Sequence, residues 1–196
     1  MNDTRSEQLS VPRRGLLRGA GQVALSTAAL ALLAGGARPT RAAAGPTEAD
    51  AIALNAILGL DHEAIAAYEI AAGSGLLSAG VLPVARLFQG HHIGHRDELI
   101  AVIRAIGAEP VEAKSIEDYA VDIGAAALTS ELDILKLAAQ LEGAAVNAYV
   151  GTLATLADKD HARLVAQLVA DETMHWTVLT TAVGDALPTG AFAFGA

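Results

Sequence analysis

The chain has 196 residues, no cysteine and a formal net charge of −9. The missing cysteine excludes disulfides and thiolate metal sites, and the length fits one domain plus a targeting segment. An acidic balance of this size repels phosphate backbones, so nucleic acid is not expected as a partner, whereas cations are.

Residues 1–44 read as the targeting segment. Arg13-Arg14-Gly15-Leu16-Leu17-Arg18 precedes an apolar, Ala- and Leu-rich run from Gly19 to Gly36, and Ala42-Ala43-Ala44 stands before Gly45-Pro46. The pattern resembles a twin-arginine signal peptide cleaved after Ala44, which implies export to the periplasm or its equivalent. An uncleaved membrane anchor is the competing reading. The run is shorter than the roughly 20 apolar residues a span needs, and it contains Gly, Gln, Ser and Thr, so no membrane attachment is expected after cleavage. The remaining domain, 45–196, carries seven Lys/Arg against twenty Asp/Glu, a formal charge of −13.

That domain reads as helix throughout. Alanine and leucine dominate, and no alternating stretch of strand length stands out. A first helix is expected after Thr47, where Thr47-x-x-Asp50 resembles a capping box, ending at Gly73-Ser74-Gly75. Asn55, His62 and Glu69 fall seven apart and mark its solvated stripe, which makes His62 a surface residue. The second helix starts around Pro83 and closes near Gly107, with Pro110 beyond. An acidic connection of 23 residues, 108–130, follows with no strong helical period. Nearly extended it covers roughly 70 Å, against about 36 Å for a 24-residue helix, so it can cross the bundle. Ser130-x-x-Asp133 opens a third helix running to about Ala157, and Asp158 or Asp160 caps a fourth that ends at Gly184.

The chemistry lies in an internal repeat. Glu172 and His175, three apart on one helix face, match His92 and His95 at an offset of 80, as Leu179 matches Leu99. At an offset of 81, Leu141-Glu142 matches Leu60-Asp61, and Tyr149 matches Tyr68. The chain therefore reads as two antiparallel helical hairpins, each giving an acid from its first helix and an x-x-His pair from its second. Distances along the helices place Asp61 level with His95, and Glu142 level with His175. Asp61 and Glu172 are flanked at helical spacing by apolar residues and point inward. Acids aimed at a core need a cation or must stay protonated, and three acids with three imidazoles imply a metal ion. A bundle whose acids and histidines are simply hydrogen-bonded is the competing reading. Glu63 is kept as an alternate to Asp61, although the repeat gives it no partner. His91 points about 100° away from His92 and is an outer or surface residue, and His161 reads as solvated. Tyr68 and Tyr149 are placed either to hydrogen-bond a ligand carboxylate or to serve as core aromatics.

With these residues the chain resembles the ferritin-like superfamily, in particular its exported ferritin-like domain proteins with twin-arginine signals, over roughly Thr47 to Gly184. The resemblance implies an all-α four-helix bundle with one long crossover and a central dinuclear iron or manganese site. Its pattern is an acid on the first and third helices and E-x-x-H on the second and fourth. Asp61, Glu142, Glu172, His175 and His95 fit. His92 departs, standing where a bridging glutamate is expected, so zinc, manganese or a single iron also become credible occupants. Dioxygen or peroxide is the implied reactant, and with no rubredoxin-like module any electron donor is a separate partner. Related desiccation-associated members imply the alternative of a stress-protective bundle with a vestigial site. A homo-oligomer is compatible with this reading, but a storage cage does not follow from one subunit.

Overall fold

A computed structural model describes residues 46–195, so the expected signal segment lies outside the described residues. Four long helices, α1 (Pro46–Gly73), α2 (Leu82–Ala105), α4 (Glu131–Leu153) and α5 (Lys159–Ala182), form the bundle. The crossover carries a short helix, α3 (Ile116–Asp122), and one 3-10 turn, Ala125–Ala127. There is no strand among the described residues, and none of their helices is long and apolar enough to cross a membrane.

Contacts across the first hairpin run in opposite directions along its two helices. Asp61 meets His92, the Ile65 carbonyl meets Gln89, and Glu69 meets Arg86, an antiparallel register. α4 and α5 form the second hairpin, and α1–α4 and α2–α5 contacts close the bundle. α4 begins beside the α1–α2 turn, where the Ser78 amide donates to Glu131, so the crossover does traverse the bundle's length. Its path is fixed by two residues of the stripe expected to be solvated, Asn55 and His62, while Glu69 stays exposed. Asn55 donates to the Glu109 carbonyl and accepts from the Val111 amide, His62 Nε2 lies 3.1 Å from the Val111 carbonyl, and Glu69 pairs with Arg86 of α2. His62 is consequently half-buried rather than free on the surface.

The local signals explain most helix ends. Ser130 and Asp158 accept amide hydrogens from the first turns of α4 and α5, which settles the choice between Asp158 and Asp160. After α2 the chain turns at Gly107 with φ of 78°, and the Ala108 amide reaches back to the Ile103 carbonyl, a left-handed exit that suits glycine. Four further expectations are corrected. α4 ends at Leu153, short of Ala157. Part of the crossover is helical from 116 to 122, nucleated by the Ser115 cap, a segment too short to show a period. Asp50 does not close a capping box. It is buried and accepts from the amides of Ala157 and Asp158, and its Oδ2 lies 2.8 Å from His161 Nδ1. His161, expected to be solvated, thus helps to tie the α4–α5 turn to the start of α1.

Two apolar layers sandwich the centre of the bundle. Leu54, Ile57, Leu58, Leu99, Ile103, Val165 and Leu168 pack on one side, and Tyr68, Ala85, Phe88 and Leu179 on the other. Between them lies a layer that is almost entirely polar.

Candidate metal centre

Each long helix sends polar side chains into that layer: Asp61 from α1, His92 and His95 from α2, Glu142 from α4, Glu172 and His175 from α5. All six are buried, Asp61, Glu172 and His175 completely. The small residue after Glu142 leaves room for the Trp176 ring of α5. A Cβ on Gly143 would lie only 3.0 Å from the Trp176 ring, so a larger residue there would require that ring to give way by a few tenths of an ångström.

The six residues form two overlapping groups of four, Asp61–His92–His95–Glu172 and His92–Glu142–Glu172–His175, with one ligand atom from each residue of a group within 4.8 Å of the others. His92 and Glu172 belong to both. In the first group His92 Nδ1 lies 3.0 Å from Asp61 Oδ1, and His95 Nδ1 lies 3.4 Å from the same oxygen and 3.2 Å from Glu172 Oε1. In the second, His92 Nε2 lies 3.2 Å from Glu142 Oε1, and His175 Nδ1 lies 3.4 Å from both Glu142 Oε1 and Glu172 Oε2. Each group therefore offers two carboxylates and two imidazoles. His92 turns a different nitrogen to each group, and Glu172 a different oxygen.

These separations test whether a metal ion fits. Two donors bound to one ion at about 2.1 Å with angles near 90–110° stand about 3.0–3.4 Å apart. Most of the distances above fall in that range, and several belong to atoms that make no regular hydrogen bond. Asp61 Oδ2, Glu142 Oε2, both Glu172 oxygens and the Nδ1 atoms of His95 and His175 are buried without one. Buried polar atoms are normally satisfied, and six without a regular hydrogen bond in one layer are atoms that could hold a cation. The donor set of carboxylate oxygens and imidazole nitrogens suits iron, manganese or zinc.

The electrostatics agree. Burial alone would drive protons off the histidines, but the surrounding carboxylates prevail. His92 and His175 are held above the usual imidazole range, and His95 is pushed up to about 10, chiefly by Asp61 and Glu172. Burial also opposes ionisation of Glu142, yet His92 and His175 hold its carboxyl well below the usual range. Burial pushes Glu172 up despite the same histidines. Protons and metal ions thus compete for the same atoms.

Around the six stand residues that orient them. Tyr68 donates to Glu142 Oε1 at 2.5 Å, and its hydroxyl is held far above the usual tyrosine range by burial and by Glu142. Tyr149, fully buried, sits close enough to Asp61 for burial and that charge to raise it as well, without a regular hydrogen bond. His91 is half-buried, with Nδ1 2.8 Å from His175 Nε2. Asp171 Oδ2 lies 3.2 Å from His95 Nε2, a contact the sequence reading passed over although Asp171 is adjacent to Glu172. Both outer contacts turn the Nδ1 of a histidine toward the centre. Glu63 belongs to neither group. It is buried on another side of α1, where its charge reaches Lys114 and Tyr119 of the crossover.

Comparison with known proteins agrees with this architecture. A conserved hypothetical protein of Mycobacterium tuberculosis, known from its crystal structure, superposes with a TM-score of 0.61 at 21% identity, covering 76% of this chain and 99% of that one. At that identity the likeness concerns the fold. No curated protein matches the chain by sequence. The ferritin-like domain family matches residues 49–185, from α1 to just past the end of α5, and the chain belongs to that family.

Proposed function

We propose that the protein is an exported metal-binding bundle that holds one or two first-row ions, iron or manganese in preference to zinc, through Asp61, His92, His95, Glu142, Glu172 and His175. The observation that carries this reading is the convergence, in one buried layer, of carboxylate oxygens and imidazole nitrogens that lack hydrogen bonds. Glu172 would serve either ion with Asp61 or Glu142 as the second acid, and a neutral His92 would serve one ion at a time through one ring nitrogen. Bound iron or manganese would supply an oxidisable centre for peroxide or dioxygen. The chain's own residues prepare the site. Tyr68 fixes Glu142, Asp171 and His91 fix the rings of His95 and His175, and the apolar layers exclude water on both sides. Export rests on the Arg13-Arg14 signal, and replacing both by lysine is expected to leave precursor in the cytoplasm.

The test is element analysis of the full chain after chelation and reconstitution with ferrous, manganous or zinc ions, together with melting temperature. One or two equivalents retained after desalting, with a raised melting temperature, are expected. Retention of no ion would defeat the site and favour a purely structural bundle.

A further inference from the structure

A cavity of about 70 Å³ lies beside the polar layer, between α1, α2, α4 and the end of the crossover. Its room comes from small residues on facing helices, Ala67 and Ala71 of α1 and Ala138 of α4. Its outer residues Leu77 and Leu128 are half-buried, and its inner end is formed by Tyr68, His92 and Glu142. The cavity is partly open past those leucines, and its walls lack the dispersion contacts that close packing would give them. Water is a poor filler, because a buried water needs two to four polar partners and most of the wall is hydrocarbon. At the inner end the Tyr68 hydroxyl hydrogen is already given to Glu142. By the same measure one water needs about 10–15 Å³, so the cavity takes about five to seven groups of that size.

We propose that this cavity binds a slender, neutral aliphatic molecule of about six carbons, with its inner end against Tyr68 and His92. The hydrocarbon wall selects an apolar body and strips water from a charged head, and the two acids at the lining, Glu63 and Glu142, outnumber its one imidazole, His92, so an anionic head is disfavoured. Binding does not require the metal ion. The consequence that such molecules are the class presented to a loaded centre is the one part that rests on the function proposed above.

The full chain, stripped with a chelator, is titrated calorimetrically with 1-hexanol and with hexanoate. One 1-hexanol per chain is expected, with hexanoate at least tenfold weaker. Ala67→Leu and Ala138→Leu, which fill the cavity from opposite helices, should each weaken 1-hexanol at least tenfold while circular dichroism shows a folded bundle. Ala101→Leu, on the exposed face of α2, should leave the affinity unchanged. Absence of saturable 1-hexanol binding, unchanged affinity in a folded cavity-filled variant, or hexanoate binding as tightly as 1-hexanol would overturn the proposal. The wild-type comparison of the two ligands decides even if a variant fails to fold. Because metal is absent throughout, failure here leaves the metal centre standing, and failure of the metal centre leaves this site standing.

Discussion

Asp50 and Glu172 are both carboxylates buried in a helical bundle, and they are treated in opposite ways. Asp50 accepts from two backbone amides and meets His161, so each of its oxygens has a partner from the protein itself. Neither oxygen of Glu172 has a hydrogen bond of regular geometry, although His92, His95 and His175 stand 3.2–3.5 Å away. A buried charge that is fully hydrogen-bonded fixes structure, as Asp50 does at the α4–α5 turn. One surrounded by other donors at the spacing of ligands fits an ion the protein must acquire.

If that contrast is right, replacing each acid should damage a different property. The largest effect is expected for Glu172→Ala, which removes the carboxylate shared by both groups. Metal affinity should fall by at least a hundredfold, and the stabilisation that metal confers, about 2.7 kcal/mol at a hundredfold excess over Kd, should vanish. Competition against a chelator of known affinity measures the first and thermal melting the second. Asp50→Ala should do the converse. It leaves His161 and two amides without their acceptor, so stability should drop by about 2–3 kcal/mol in urea unfolding while metal content stays unchanged. Loss of metal in that variant would erase the distinction between the two sites.

A smaller effect is expected from Tyr68→Phe, which frees Glu142 from its hydrogen bond. Metal affinity should fall by about tenfold with only about 1 kcal/mol lost in stability. The smallest concerns pH. Burial works against ionising Asp50, but the Ala157 amide and His161 outweigh it and hold its carboxyl below the ordinary value of 3.8. The stability it contributes is therefore fully present above that value and fades as pH falls through the lower, folded-state value. Acid unfolding of metal-free protein should show this loss, and Asp50→Asn should flatten it.

The central layer was legible in the sequence because it repeats. Offsets of 80 and 81 brought His92, His95, Glu172 and His175 together with Asp61 and Glu142, and the apolar flanks told which way Asp61 and Glu172 face. Helix ends followed from Ser130, Asp158 and Gly107, whose roles are local. What stayed hidden depends on contacts between segments far apart in sequence. Asp50 and His161 are separated by 111 positions, and nothing in either neighbourhood announces the other. Asn55 and His62 carried a correct period but a wrong meaning, since a polar stripe facing a crossover looks the same as one facing water. Asp171 was masked by its neighbour, because a half-exposed acid one residue from Glu172 shows no pattern of its own. The cavity had no signal either, since alanines that leave space and alanines that pack closely read alike.

The most direct measurement is anomalous diffraction from crystals of protein loaded with manganese or iron, collected on both sides of the metal's absorption edge. The account predicts a peak within about 2.0–2.3 Å of Glu172 and His92, with the rest of its shell drawn from Asp61 and His95 or from Glu142 and His175. No peak in the buried layer, with metal found only among surface acids or not at all, would contradict it.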